Sequence, residues 1–132
     1  MSKINLKINT TEAKNGLIFL KISGMFGTED LQDLKNWSED VKKTILKTNI
    51  DFKNKIKVLI DIKNLQGYTD PQVLIILGDL MKVDSPYVLK TASFGGSYPQ
   101  EMAQEVIKAV AERDNLKNFK TEKEARIWLS EK

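Results

Sequence analysis

Cysteine and histidine are both missing from this 132-residue chain. Without cysteine there are no disulfide frameworks, thiolate metal sites or thiol nucleophiles. Without histidine, the chain lacks the commonest general base and the commonest metal ligand. Asp61 and Asp70 are candidate catalytic acids, but no second carboxylate is seen to converge with either, as paired-acid hydrolysis requires. Asp61 falls on a predicted buried strand, and Asp70 is better explained as a helix N-cap. We therefore expect a protein that is not an enzyme and that uses no cofactor and no metal.

Arginine is scarce, because Arg113 and Arg126 are the only two among 21 basic residues. Arginine is the residue favoured for bidentate recognition of bases and phosphates in nucleic acids. The net charge is +3, with 18 acidic residues interspersed among the basic ones. This pattern is typical of a solvated surface, and we expect no nucleic-acid partner.

Long apolar runs are also missing, since none approaches the roughly 20 residues that a bilayer span needs. The opening residues Met1 to Asn5 have no apolar signal core. We expect a cytoplasmic protein without a membrane span. The length, with 41% hydrophobic and 30% charged residues, is typical of one soluble domain over residues 1–132.

The spacing of apolar residues predicts an α/β domain in the order ββαβαβαβα. Strands are predicted at residues 4–8, 17–22, 55–62, 86–93 and 116–119. Helices are predicted from Thr28 to about residue 49, from Asp70-Pro71 to about Val83, behind Ser97 to Gln100, and after the capping box that begins at Thr121. The short polar segment after the first strand predicts an antiparallel hairpin, and the later strand–helix alternation predicts a mostly parallel sheet.

Two stretches carry a family resemblance. Residues 58–78, VLIDIKNLQGYTDPQVLIILG, resemble the central strand, loop and helix of STAS domains. Residues 119–129, FKTEKEARIWL, resemble the ending of the SpoIIAA-like group, with its Ala-x-x-Trp-Leu helix. The resemblance implies a single STAS domain of the SpoIIAA-like type, from a bacterial-type regulator. In the anti-sigma-factor antagonists of this family, a serine before the matching helix is phosphorylated to switch partner binding. Pro71 stands at that position here, so the resemblance implies the scaffold without this switch.

The loops at the carboxyl ends of parallel strands meet at one edge of a sheet, where ligands usually bind. Aromatic and small residues lie in these loops, and the two glycines before a helix start would let backbone N–H groups approach an anion. The candidate ligand-binding residues are Phe26, Tyr68, Phe94, Gly95, Gly96, Ser97 and Tyr98. The alternative is that the rings cover the top of the core and that the glycines only turn the chain.

The helix that starts at Pro71 is too apolar for a single buried face. Its core stripe is predicted to consist of Val73, Ile76, Leu77 and Leu80. A second strip, formed by Leu74, Ile75 and Met81, is a candidate surface for a protein partner or a homodimer. The alternative is a helix buried on both sides.

These patterns favour a non-enzymatic module that binds a protein partner or a small ligand. The alternative is a carrier of a small apolar or lipid-like molecule, because SpoIIAA-like domains resemble a lipid-binding fold. The sequence identifies neither the partner nor the ligand.

Overall fold

The computed structural model describes residues 4–25, 31–66, 71–96, 108 and 115–131. Within these ranges lie five strands and three α-helices. In chain order they are β1 (Ile4–Asn9), β2 (Leu17–Met25), α1 (Leu31–Phe52), β3 (Ile56–Gln66), α2 (Pro71–Asp84), β4 (Val88–Phe94), β5 (Leu116–Phe119) and α3 (Glu122–Ser130). A single 3₁₀ turn, Ala13–Asn15, separates β1 from β2. The helix predicted behind Ser97 lies outside the described residues, apart from the helical Lys108.

The strands form one sheet in the order β1-β2-β3-β4-β5. β1 and β2 pair antiparallel, and every later pair is parallel. This arrangement confirms the predicted hairpin and the mostly parallel sheet. Pro71 is the first residue of α2, as expected for a residue whose fixed φ suits a first helical turn and which has no N–H to leave unpaired there.

One face of the sheet packs against α1 and α2. The β-branched residues of β3 point to this face at alternate positions and are at most 6% exposed: Ile56, Val58, Ile60 and Ile62. They meet Leu34 and Val41 of α1 and Leu77 of α2 in a single cluster. We call this face the two-helix face.

The opposite face packs against α3, and its core is smaller. Phe19, Leu59, Ala92 and Phe94 meet Ala125 and Leu129 of α3 there. Ala125 and Leu129 are buried, while Trp128 is half-buried at the rim. α3 packs mainly on β3, β4 and β5 and also covers Phe19 of β2. Among the described residues, the hairpin side of this face, with Lys7 and Lys21, stays exposed. We call this side the open face.

The buried stripe of α1 does not include every apolar residue of this helix. Leu46 is 39% exposed. It lies one residue beyond the buried Ile45, which is about 100° around a helix. The buried polar residues Ser38 and Thr48 complete the stripe, and the Ser38 hydroxyl donates to the Leu34 carbonyl at 2.9 Å.

β3 runs four residues further than predicted, to Gln66. The register with β2 shifts between Lys21↔Asp61 and Ser23↔Asn64, so β3 contains one additional residue there. This bulge lets two consecutive exposed residues, Lys63 and Asn64, interrupt the apolar alternation while the strand continues to the buried Leu65.

Candidate functional site

Polar side chains form two rows across β1, β2 and β3 on the open face. Residues directly opposite each other on paired strands share a face of the sheet. The strand register therefore places Lys7, Lys21 and Asp61 side by side. The next row, two residues along β1 and β2, consists of Asn5, Ser23 and Asn64, and we call it the amide–hydroxyl row.

Lys63 joins the first row from the bulge of β3. Its ammonium lies 3.7 Å from Asp61 Oδ2, and its backbone N–H donates to Asp61 Oδ1 at 2.9 Å. The Asp61 side chain is only 12% exposed, whereas that of Lys63 is 59% exposed. The bulge therefore fixes the carboxylate from two directions and leaves the ammonium accessible. We call Lys7, Lys21 and Lys63 the lysine array.

Two ammonium groups of the lysine array lie over aromatic rings. Lys21 Nζ is 5.6 Å from the centre of the Phe19 ring, and Lys63 Nζ is 5.7 Å from that of Phe94. The two rings contact each other edge to face, with centres 6.1 Å apart, inside the core under α3. Cation–π attraction to buried rings restricts where these flexible side chains place their charge.

A cavity of about 270 Å³ lies at this position, over the carboxyl-terminal halves of β2 and β3 on the open face. Asp61 is the one acid among its described lining residues, beside the three lysines. It is lined by Asn5, Lys7, Lys21, Ile22, Ser23, Asp61, Lys63 and Asn64. Three ammonium groups facing one carboxylate give the cavity a positive potential, which attracts anions.

Two further cavities are less suited to a specific ligand. One, of about 560 Å³, lies between the 3₁₀ turn and the last turns of α1, where Lys14 and Lys47 are accompanied by Asp51. The other, of about 500 Å³, follows the outer side of α3 along Ile127 and Ser130. Neither brings together groups from paired strands. Within the described ranges, no cluster of three or more acidic residues suited to a metal ion occurs.

Phe94 and Gly95 are predicted site residues that the structure describes. The Phe94 ring is 1% exposed and belongs to the core. Gly95 has φ +85°, and its N–H already donates to the Phe119 carbonyl at 3.1 Å. A Cβ at position 95 would overlap the Lys63 side chain. Turn geometry and close packing therefore account for this glycine.

Gly96 is partly exposed beyond the end of β4. The other predicted ligand-binding residues, Phe26, Tyr68, Ser97 and Tyr98, lie outside the described residues. Their grouping into an aromatic pocket stays a prediction. So does the N-cap at Asp70, which also lies outside them.

The predicted partner strip on α2 is divided. Ile75 is 52% exposed, whereas Met81 is half-buried and packs against the core of the two-helix face. The side chain of Leu74 is not among those described, although its backbone is helical. Of the two described side chains in this strip, Ile75 is therefore on the surface, whereas Met81 packs against the core.

The lysine array was missed by sequence reasoning. Lys7 and Lys21 occupy polar positions in alternating strands, which look like ordinary solvated positions. The predicted hairpin was the signal that could have indicated the lysine pair, because its register decides whether Lys7 and Lys21 lie opposite each other. That register depends on the irregular turn over residues 10–16. Lys63 was harder to find, because the bulge in β3 carries it to the same face.

Comparison with solved structures shows the fold. The chain is similar to the crystal structure of an uncharacterised protein of the DUF3478 family with a SpoIIAA-like fold, from Shewanella loihica PV-4. The TM-score is 0.61, the sequence identity is 21%, and the match covers 98% of each chain. No protein-family model matches the sequence, and no curated protein is significantly similar to it. The chain has the SpoIIAA-like fold, which confirms the fold that the resemblance implied. In the part of the chain that the structure describes, no helix has the length and apolar character to cross a membrane.

Proposed function

We propose that this domain is a non-catalytic binding module that holds a small polar ligand on the open face of its sheet. The cavity bordered by the lysine array is the observation that supports this function. The cavity lies on the face of the sheet, over the carboxyl-terminal halves of β2 and β3, and not in the crevice beyond the strand ends where ligands of open α/β sheets usually bind. Its volume of about 270 Å³ suits a small molecule better than a protein segment.

The site differs in chemistry from the aromatic pocket that the loop sequences predict. Exposed lysine and asparagine side chains, with the half-buried Ser23, dominate the lining of the cavity. A carrier of apolar or lipid-like molecules needs an apolar cavity, whereas Ile22 is the one apolar residue among the described lining of this cavity. We therefore favour the polar ligand over the apolar cargo.

The proposed module differs from the anti-sigma-factor antagonists in its regulation. Pro71 begins α2 where their switch serine would stand, and proline has no hydroxyl to phosphorylate. Binding at the open face would instead depend directly on ligand concentration.

Two-dimensional ¹H–¹⁵N spectra test the proposed surface. A library of small polar molecules, charged and neutral, is added to the ¹⁵N-labelled protein. We expect binders to shift the amides of residues 5–7, 21–23 and 61–64. Hits that cluster around Ile75 on α2 would contradict the proposal and favour a partner surface there. Native mass spectrometry of the purified protein gives a second readout, because a co-purifying lipid would support the apolar carrier instead.

A further inference from the structure

We propose that the ligand of the open face is a small phosphorylated molecule. Its phosphate would contact the lysine array, and its polar remainder would contact the amide–hydroxyl row. This inference rests on the proposed function and adds the chemical class of the ligand.

The strand register supplies the first argument. Lys7 and Lys21 are directly opposite each other on antiparallel strands, and both side chains are exposed. Like charges in this position destabilise a sheet. A lysine on an edge strand such as β1 also discourages aggregation, so the edge position would explain Lys7 alone. It does not explain Lys21, which lies on an interior strand opposite Asp61. Because Asp61 is already paired with Lys63, it offsets only part of the positive charge, and an anion bound between Lys7 and Lys21 would relieve the remaining repulsion.

The charge balance of the cavity supplies the second argument. Asp61 is fixed beside Lys63 by the 3.7 Å ion pair and by the backbone hydrogen bond. Neither Lys7 nor Lys21 forms an ion pair with a described residue. Three ammonium groups against one carboxylate leave two positive charges, which match the charge of a phosphate monoester. A phosphate also offers three strong acceptor oxygens to ammonium donors.

The shape and surroundings of the array indicate a small ligand. The cavity volume of about 270 Å³ accommodates a few heavy atoms beyond a phosphate group. The amide–hydroxyl row offers donors and acceptors without charge, which suit hydroxyl groups attached to the phosphate. A phosphorylated polyol has both features.

Titration with glycerol 3-phosphate tests the inference, with glycerol and inorganic phosphate as comparisons in phosphate-free buffer. We expect glycerol 3-phosphate to shift the amides of residues 5–7, 21–23 and 61–64, and glycerol to leave them unchanged. Lys21→Met should weaken binding about tenfold or more, because it removes a charge-assisted contact. Asp61→Asn should tighten binding about threefold, because it removes a negative charge beside the phosphate.

Lys117→Met is the matched control. Lys117 is exposed, and its ammonium also lies over a ring, 5.5 Å from the centre of Phe119, but it does not line the cavity. We expect Lys117→Met to bind glycerol 3-phosphate with an affinity within about twofold of that of the parent. Lys117 lies on β5, three strands away from Lys21 in the sheet, and salt screens exposed charges at such separations. A thermal melt of Lys21→Met should show a protein at least as stable as the parent, which separates lost binding from lost folding.

Several outcomes would overturn the inference. If Lys117→Met weakened binding as much as Lys21→Met, the attraction would be general charge and not a site. If inorganic phosphate bound as tightly as glycerol 3-phosphate, the amide–hydroxyl row would contribute nothing and the ligand would be the free anion. If neutral molecules alone bound at the open face, the inference that the ligand is phosphorylated would be wrong, while the proposed binding function would remain. If every ligand found bound elsewhere, both would fail.

Discussion

Backbone conformation at three single residues shapes the loops that frame the sheet. Gly16 and Gly95 have φ values of +77° and +85°, and Lys53 has a φ of +62°. A Cβ at Gly16 would meet the Phe52 ring at 2.6 Å, so a side chain at position 16 would have a strained backbone conformation and would have to displace that ring. Lys53 is exposed, and its backbone adopts a left-handed conformation that is unfavourable for a residue with a side chain.

Replacement of Lys53 by glycine should therefore stabilise the domain. Lys53 follows the last residue of α1, and its N–H donates to the Asn49 carbonyl at 2.9 Å, as in a left-handed helix cap. We expect Lys53→Gly to raise the free energy of unfolding by about 0.5–1 kcal/mol, measured by urea denaturation. Lys55→Gly, at an exposed position without positive φ, is the control and should be slightly destabilising. Equal effects of the two substitutions would refute this account.

The sequence alone could not show whether a glycine marks a ligand site or a backbone conformation that requires glycine. Gly95 and Gly96 precede a predicted helix start, which suggests an anion site. The structure instead gives Gly95 a positive φ and a contact with Lys63, and neither is visible before the strands are paired. Local signals succeed where the interaction is local: Thr121 accepts the Glu124 N–H at 3.2 Å, as its capping-box spacing predicted.

Helix α3 is an element held mainly by contacts distant in sequence. The Arg126 guanidinium donates twice to Glu12, at 3.1 Å each, and once to Glu122 at 2.7 Å. The hydrogen bonds that Arg126 donates to Glu12, partly opposed by burial, raise the pKa of Arg126 above its ordinary value. These contacts fasten α3 to the turn between β1 and β2. Because 114 residues separate Arg126 from Glu12, no spacing rule could have predicted the pair.

Lys90 holds the other end of α3. Its ammonium donates to the carbonyls of Trp128 and Glu131 at 2.7 and 2.8 Å, and lies 4.8 Å from the centre of the Trp128 ring. A cation at a helix C-terminus is favoured by the helix dipole. Here it gives a donor to the Glu131 carbonyl and a second donor to the Trp128 carbonyl, which also accepts the Glu131 N–H at 3.2 Å.

We expect Lys90→Met to lower the free energy of unfolding by about 1–2 kcal/mol in urea denaturation. Lys117→Met removes a comparable contact with a ring but no carbonyl bonds, and it should change stability by less than about 0.5 kcal/mol. Similar losses in the two variants would show that the carbonyl bonds contribute little.

The sequence resemblance places Pro71, the first residue of α2, where the switch serine of the anti-sigma-factor antagonists would stand, so we expect no phosphorylation switch here. Phosphopeptide mapping of the protein from its native cells should find no phosphate on residues 68–72. Stoichiometric phosphate on Thr69 would mean that the switch had moved by two residues and not disappeared.

At the scale of the whole molecule, the two faces of the sheet differ in what covers them. Among the described residues, α1 and α2 cover the apolar residues of β2 and β3 on one face, and apolar alternation makes this predictable because strand and helix periods are visible in the sequence. The opposite face combines a small core under α3 with the lysine array beside it. That array consists of residues from three strands, and its existence depends on register and on a bulge. Sequence periodicity therefore gives the fold without giving the site.

Repulsion within the lysine array should lower the free energy of unfolding of the ligand-free domain, relative to a variant without the opposed charges. This effect should decrease as the salt concentration rises. Lys21→Met removes the repulsion from Lys7 while keeping the aliphatic stem over Phe19. In 10 mM salt we expect the free energy of unfolding of the variant to be about 0.3–1 kcal/mol higher than that of the parent. At 1 M salt the Debye length falls to about 3 Å, so the difference should largely vanish. Urea denaturation at both salt concentrations measures this, with Lys117→Met as a variant whose stability should depend little on salt. A gain in Lys21→Met that persists at 1 M salt would assign the effect to packing and remove the argument that Lys7 and Lys21 repel each other.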